Sequence, residues 1–216
     1  ESVLLAEVKS SDGKLIGDNV VVYPDAFTDL LADIRLTYTR AGFEQDVVLR
    51  TQPPAPEKFG LDSKTTRLQV LTEFVESPQP AKEGRSVDDL TDETLGFGEM
   101  TIGAGKAFSV DEAGEAAGHV PVSKTWTPIE GRDFLIEEVK YENVSEQLQQ
   151  LPETKVYEGA SLKRRGQGKT VLAGLKNLLP KRYAKTAPSK EAKPQRMARV
   201  RPDSSPSFVM DYLILT

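Results

Sequence analysis

Basic side chains that could bind an anion are concentrated in residues 163–201. This segment holds 13 lysines and arginines and a single acid, Glu191, so it carries a charge of +12. Since the net charge is −5, the rest of the chain carries −17. A basic block of this density can bind phosphate polymers or acidic polysaccharides. The candidate anion-binding residues are Lys163, Arg164, Arg165, Lys169, Lys181 and Arg182.

Two interpretations of this basic segment remain open. Its only aromatic residue is Tyr183, whereas proteins that bind single-stranded nucleic acid interleave basic residues with aromatic ones. The acidic remainder of the chain, or of a second subunit, offers the opposite charge. We therefore favour charge complementarity within the chain or between subunits, with binding of an acidic polymer as the alternative.

A short triplet inside the basic segment, Gly168-Lys169-Thr170, matches the end of a nucleotide-binding phosphate loop. The full pattern requires a glycine five residues before Gly168, and Lys163 occupies that position. No apolar strand leads into the triplet either. We interpret it as a basic turn before a short helix.

Acidic residues form two dense groups that could hold calcium. These are Asp88, Asp89, Asp92 and Glu93, and then Asp111, Glu112 and Glu115. Neither group has the Asp-x-Asp-x-Asp-Gly spacing of a calcium-binding loop. We interpret both as solvated acidic loops, with calcium binding as the alternative.

Residues for catalysis are scarce. Cysteine is absent, which excludes thiol catalysis, disulfides and cysteine-ligated metals, and His119 is the only histidine. Glu73 beside Phe74, and Glu137 and Glu138 after Phe134, could supply the paired carboxylates of a glycoside hydrolase. Any acid-rich β protein offers such pairs. We predict no catalytic residue, no metal site and no cofactor.

The ends and the hydropathy of the chain bear on its location. No apolar run approaches the roughly 18 residues that span a membrane, so no membrane span is predicted. The chain begins at Glu1 without a signal peptide. We interpret it as a processed or excised chain.

The elements that must position these residues are mainly strands, and the clearest pair lies in residues 32–50. Apolar and polar residues alternate there on both sides of Ala41-Gly42, which gives each strand one apolar and one polar face. A two-residue loop would place Leu36 opposite Val47, and a four-residue loop would shift the partners by two. A three-residue loop would place Leu36 opposite Asp46 and is rejected. We predict a hairpin with its apolar face on the core; a ligand-binding polar face is the alternative.

The remaining pattern predicts the fold class. Further strands are predicted over residues 3–9, 19–23, 67–76, 97–110 (a pair), 119–126 and 132–141, and acidic loops over residues 81–95 and 111–118. Val144, Leu148 and Leu151 have helical spacing, with Asn143 and Glu146 as a capping box, and a second short helix is predicted over residues 171–179. We predict one mainly β domain over residues 1–216, with an antiparallel β-sandwich-like core and one or two short helices. The basic segment is predicted to be extended and packed on this domain.

The last ten residues, 207–216, form a further apolar, strand-like run. We predict that this strand crosses back into the sheet and leads into a following domain. It could also pair with a neighbouring domain or subunit. The candidate residues for that pairing are Phe208, Met210, Tyr212 and Ile214.

Two stretches together resemble a known type of module. They are VVVYPDAFTDLLADIRLTYTRAGFEQDVVLRTQPPAPEKFGLDSKTTRLQVLTEF and PSFVMDYLILT. They are similar to an uncharacterised N-terminal module of large secreted bacterial proteins, where it tends to precede β-helical or RHS-type repeats. The similarity covers residues 19–216 and brings no assigned activity or site residues. It implies a secreted or cell-surface protein.

These observations lead to one expected function and two alternatives. We expect a non-enzymatic extracellular structural or interaction module of a cell-surface or filament-like assembly. Its partners would be neighbouring domains or subunits of the same assembly. The first alternative is a polyanion- or carbohydrate-binding module that uses residues 163–201, and the second is a carbohydrate-active enzyme.

Overall fold

The computed structural model describes residues 1–40, 43–75, 77–87, 89–111 and 115–153, with the backbone of residues 165–166, 207–209 and 214–215. The first nine strands are β1 (Ser2–Leu4), β2 (Lys14–Ile16), β3 (Val20–Tyr23), β4 (Ala32–Tyr38), β5 (Phe43–Leu49), β6 (Arg67–Phe74), β7 (Ala81–Val87), β8 (Leu90–Phe97) and β9 (Met100–Ile102). The others are β10 (Gly105–Val110), β11 (Ala116–Ile129), β12 (Arg132–Lys140), β13 (Arg165–Gly166), β14 (Ser207–Val209) and β15 (Ile214–Leu215). One α-helix, α1 (Tyr141–Gln149), and one 3₁₀ turn, Pro56–Phe59, complete the described elements.

Twelve of these strands form one antiparallel sheet, and the other three, β7, β8 and β9, form a second. The large sheet has the order β13-β1-β15-β6-β12-β11-β10-β14-β5-β4-β3-β2. Strand β11 belongs to both halves of it: Ala116 to Val122 pair with β10, and Ser123 to Ile129 pair with β12. A single long strand therefore carries the sheet from one half to the other.

The main core lies between the two halves of the large sheet. Val3 and Leu68 from one half and Val47 and Leu49 from the other belong to one cluster of fully buried side chains. Helix α1 adds Val144, Leu148 and the following Leu151 to the same cluster. The mainly β, sandwich-like fold with a short helix is therefore confirmed. The second predicted helix, over residues 171–179, lies outside the described residues.

The hairpin of β4 and β5 adopts the four-residue connection. Ile34 lies opposite Val47, and Tyr38 lies opposite Phe43, which excludes the two-residue register. On the polar face Arg35 lies opposite Asp46, and its Nη2 is 2.7 Å from the Asp46 Oδ2. The apolar face is on the core, as predicted.

Residues 81–95, predicted to be an acidic loop, are instead strands β7 and β8, so that prediction is wrong. Leu90, Asp92 and Leu95 of β8 are all buried, because the three-stranded sheet packs against β11 of the large sheet. Two of the acids that suggested a solvated loop, Asp92 and Glu93, form ion pairs with cations of β7 and β11. The second predicted loop ends earlier than expected, since β11 begins at Ala116.

The predicted capping box of α1 is also wrong. The residue that precedes the helix is Lys140, which has extended backbone angles and makes no side-chain capping hydrogen bond. Asn143 is therefore a residue of the helix itself. Strand β12 passes directly into α1, so the helix starts where the strand ends and leaves no separate capping segment.

Candidate functional site

The edge of β11 between Lys124 and Trp126 is completed by side chains instead of by a strand. The Lys124 N–H donates to the Asp92 Oδ1 at 3.1 Å, and the Trp126 N–H donates to the Glu93 Oε2 at 2.7 Å. The Lys82 Nζ donates to the Trp126 carbonyl oxygen at 2.6 Å. Ile129 and Arg132 close the hairpin of β11 and β12, so Ile129 and every second residue before it direct their backbone groups to β12. Lys124 and Trp126 lie between those residues and direct theirs to the other side. The side chains of β7 and β8 thus replace a missing ladder partner.

A buried ion cluster stands at the centre of this junction. The Lys124 Nζ lies 2.5 Å from the Asp92 Oδ1, and the Arg85 Nη2 lies 2.7 Å from the Asp92 Oδ2. The Lys124 and Asp92 side chains are 1% and 0% exposed, whereas that of Arg85 is 56% exposed. We call Asp92, Lys124 and Arg85 the buried ion cluster.

The charge state of the cluster follows from its contacts. Burial tends to raise the pKa of Asp92, but hydrogen bonds from Lys124 and Arg85 outweigh burial, so its pKa is lowered. Four donors reach this carboxylate: the Lys124 N–H and Nζ, and the Arg85 Nε and Nη2. Asp92 is therefore an ionised structural group that links three strands.

An aromatic cluster packs beside the ion cluster. The Trp126 ring lies 4.7 Å from the Phe74 ring and 5.5 Å from the Phe97 ring, both edge to face. Trp126 is 3% exposed, and its Nε1 donates to the Gln79 Oε1 at 3.2 Å. Trp126 is a core residue that fixes the three-stranded sheet on the large one.

Strand β7 forms one edge of the three-stranded sheet and is the most exposed strand that the structure describes. Six of its seven residues, Ala81 to Ser86, are exposed. Two residues connect β7 to β8, and Val87 lies opposite Leu90. In such a hairpin the closing pair exchanges both backbone hydrogen bonds. Counting back from Val87, every second residue of β7 points its N–H and C=O groups toward β8, and the residues in between point theirs outward. We define the β7 edge as Lys82, Gly84 and Ser86, the residues whose N–H and C=O groups face away from β8.

The carboxylates considered for sugar chemistry are engaged within the sheet. Arg132 binds Glu73 through its Nε and Nη2. Glu138 accepts hydrogen bonds from the Arg67 Nη1 at 3.1 Å and the Gln69 Nε2 at 2.6 Å. Glu137 is buried, at 7% exposure. These contacts join β6 to β12 and stabilise the large sheet.

The described acids of the two groups considered for calcium do not converge, and Asp88 and Glu112 lie outside the described residues. Asp92 is buried in the ion cluster, while the Asp89 side chain is 97% exposed and lies 3.6 Å from the Lys140 Nζ. In the second group the Asp111 Oδ1 accepts the Glu115 N–H at 2.8 Å, which closes a turn. Among the residues that the structure describes, no group of three or more acids or histidines could hold a metal ion.

Five of the six predicted anion-binding residues, Lys163, Arg164, Lys169, Lys181 and Arg182, lie outside the described residues. Of the sixth, Arg165, only the backbone is described, in β13 opposite Val3. The candidate anion site stays a prediction.

The described part of the C-terminal run returns to the sheet. Phe208 lies opposite Leu49 on one side and Ser109 on the other. Ile214 likewise has ladder partners on both sides, Leu4 and Gln69. Met210 and Tyr212 lie outside the described residues. Pairing of this run with a neighbouring chain therefore stays a prediction, and the described strands already have partners in the same chain.

The β7 edge was not found from the sequence, although one signal was present. Val87 and Leu90 flank Asp88-Asp89, and an apolar residue on each side of a two-residue acidic pair is compatible with a hairpin turn. Counting outward from that turn sets Arg85 opposite Asp92. The density of charge in residues 81–95 hid this pattern.

Neither the family-model scan nor the searches of curated proteins and solved structures found a match to this chain. No helix in the described part of the chain is long and apolar enough to cross a membrane.

Proposed function

We propose that this chain is a non-enzymatic interaction module of an extracellular assembly, and that it associates through the β7 edge. One observation carries the proposal: a seven-residue strand lies at the edge of a sheet with six of its residues exposed. Outward backbone N–H and C=O groups on such a strand are a template for pairing with another extended segment.

The anchoring of β7 supports this role. Arg85 is tied to the buried Asp92, and Lys82 donates to the Trp126 carbonyl oxygen. The outward groups are therefore presented by a strand that is already ordered on the core. A preformed edge loses less conformational entropy on association than a mobile segment does.

The extracellular location in this proposal rests on the resemblance to modules of secreted bacterial proteins. In such an assembly the partners would be neighbouring domains or subunits. The ion pairs on the described carboxylates, such as Arg132 with Glu73 and Arg67 with Glu138, are the contacts expected of a structural module.

Amide hydrogen exchange tests the proposal. We would compare the isolated chain at high dilution with the intact assembly recovered from the surface of the producing cells. We expect the amides of Lys82, Gly84 and Ser86 to exchange more slowly in the assembly. Strand β2, at one edge of the large sheet and outside the three-stranded sheet, is the internal control and should exchange equally in both. Equal exchange of β7 in both samples would contradict the proposal.

A second candidate function, binding of an acidic polymer, is supported by the +12 charge of residues 163–201. Binding driven by phosphate or sulfate neutralisation weakens steeply with salt. We expect retention on immobilised heparin at low salt and release as salt rises. A chain that passes through the column unretained at low salt would remove this candidate.

A further inference from the structure

The β7 edge is self-complementary when a second copy is set against it in antiparallel orientation. The strand reads Ala81-Lys82-Glu83-Gly84-Arg85-Ser86-Val87. A two-fold axis through Gly84 sets Gly84 opposite Gly84 of the second copy. The same register sets Lys82 opposite Ser86, and Glu83 opposite Arg85.

This register also matches the hydrogen bonding that the edge has available. Lys82, Gly84 and Ser86 direct their backbone groups outward, and all three fall at hydrogen-bonded positions when Gly84 faces its own copy. A register shifted by one residue would place the inward-facing groups of Glu83 and Arg85 at those positions. Backbone hydrogen bonding therefore favours registers that pair outward-facing residues with each other, such as the register centred on Gly84.

Charge selects the partner. Cross-strand neighbours share one face of a sheet, where opposite charges attract and like charges repel. Two-fold symmetry produces the Glu83–Arg85 pair twice. Glu83 is exposed and has no ion pair in the part of the chain that the structure describes, and Arg85 keeps 56% of its side chain exposed. An edge bearing one sign of charge would repel a copy of itself. This edge carries both signs, and the register sets Glu83 opposite Arg85 of the second copy.

Local space is compatible with close approach. A Cβ added at Gly84 would have no heavy atom within 4 Å. No side chain from elsewhere in the chain therefore covers that face of the strand at its centre. A paired strand would lie beside it in the plane of the sheet, roughly 4.8 Å away.

We propose that two copies of this chain associate by antiparallel pairing of their β7 edges about Gly84, which joins the two three-stranded sheets into one of six strands. This inference rests on the proposed function and identifies the partner as a second copy of the chain. An extended segment of a different protein would compete for the same edge.

A cysteine cross-link tests the register, because the chain has no native cysteine. Directly opposed residues in a hydrogen-bonded pair have Cα atoms about 5.5 Å apart, which suits a disulfide. We expect Gly84→Cys to form a disulfide-linked dimer under mild oxidation. Ser86→Cys is the matched control on the same edge. Its two copies would lie about 13 Å apart along the strands, too far for a disulfide. Equal rates of cross-linking for the two variants would overturn the register.

Charge reversal tests the pairing without a cross-link. In sedimentation experiments over a range of concentrations, we expect the unmodified chain to dimerise and Glu83→Lys to weaken the dimer about tenfold or more, since two attractive pairs become repulsive. Glu99→Lys is the control, because it makes the same charge change at an exposed turn of the same sheet. Near-ultraviolet circular dichroism would verify that both variants keep the fold.

The outcomes separate this inference from the proposed function. A chain that stays monomeric at every concentration, or two lysine variants that weaken the dimer equally, would overturn self-pairing. If β7 amides are nevertheless protected in the intact assembly, the proposed function stands with a different protein as partner. If they are not protected there, the proposed function fails independently of the dimer.

Discussion

At the scale of single residues, the most consequential contact is the one between Asp92 and Lys124. Both side chains are removed from solvent, and each compensates the charge of the other. Removing one partner of a buried ion pair is more costly than removing both, because the remaining charge stays buried without compensation. The junction between the two sheets therefore depends on the pair as a unit.

We expect Asp92→Asn to lower the free energy of unfolding by roughly 3–5 kcal/mol, since Lys124 would remain charged in the core. Denaturant unfolding measures this loss. Asp89→Asn is the control, because the Asp89 side chain is 97% exposed, and it should change stability by less than about 0.5 kcal/mol. A second change, Lys124→Met, made together with Asp92→Asn should recover part of the loss. A double variant less stable than Asp92→Asn alone would contradict this account.

The lowered pKa of Asp92 predicts a direction for the pH dependence. A carboxyl with a depressed folded-state pKa stabilises the fold above its unfolded pKa, about 3.9, and this stabilisation is lost as pH falls through the lower folded-state value. The difference in unfolding free energy between the unmodified chain and Asp92→Asn should therefore reach its largest value near neutral pH and become smaller below about pH 4. Denaturant unfolding at a series of pH values checks this. A difference that grows in acid would refute it.

At the scale of elements, one glycine adapts β11 to its neighbours. The register of β10 and β11 shifts between Ala107 and Ser109, and Gly118 has a φ of +66° at this irregularity. A Cβ at Gly118 would lie 2.3 Å from the Gln147 Nε2, which donates to the Gly118 carbonyl oxygen at 2.6 Å. The bulge thus brings β11 against α1, and a Cβ at position 118 would both require an unfavourable φ and displace the Gln147 amide.

We expect Gly118→Ala to lower the free energy of unfolding by more than about 1 kcal/mol, since it combines an unfavourable φ with a steric clash. Gly103→Ala is the control, because Gly103 has open space around its Cβ position and no positive φ, and it should be neutral or slightly stabilising. Thermal unfolding compares the two. The loss of unfolding free energy caused by Gly118→Ala should be smaller in a Gln147→Ala background. That background removes the contact with the Gln147 side chain but keeps the unfavourable φ at position 118. A cost unchanged by that background would show that Gln147 is not responsible.

Individual elements were predicted from the sequence with uneven success, for physical reasons. Alternation in residues 32–50 predicted both strands and the buried face, but not the register. The two- and four-residue connections bury the same side chains, and the structure adopts the second. Strands β7 and β8 were missed because the buried partner of Asp92 is Lys124 of β11, which is far away in the sequence. A local window of sequence cannot reveal a charge that is compensated from elsewhere in the chain.

At the scale of the whole molecule, the C-terminal strands close the large sheet at two places. Strand β14 lies between β10 and β5, and β15 lies between β1 and β6. Each of these four strands would lose a ladder partner without residues 207–216. The sequence predicted that the last run returns to the sheet. It could not predict that the run fills two separate gaps, because neither gap has a local signature.

We expect deletion of residues 207–216 to abolish cooperative thermal unfolding, since it exposes the backbone groups of four strands and divides the sheet. Circular dichroism in the near ultraviolet would follow the loss of fixed packing. Adding the excised ten-residue peptide to the truncated chain should restore part of the signal. A truncated chain that melts like the complete one would show that β14 and β15 are dispensable.

The pairing of β15 with β1 has a consequence for how the protein is made. Leu215 lies opposite Val3, and Ile214 lies opposite Leu4. Strand β1 therefore gains β15 as its neighbour only after residues 214–215 have been synthesised. Contacts between such distant residues form slowly, because the chain must first close a very long loop. During synthesis β1, β5, β6 and β10 therefore lack these ladder partners until residues 207–216 have been made.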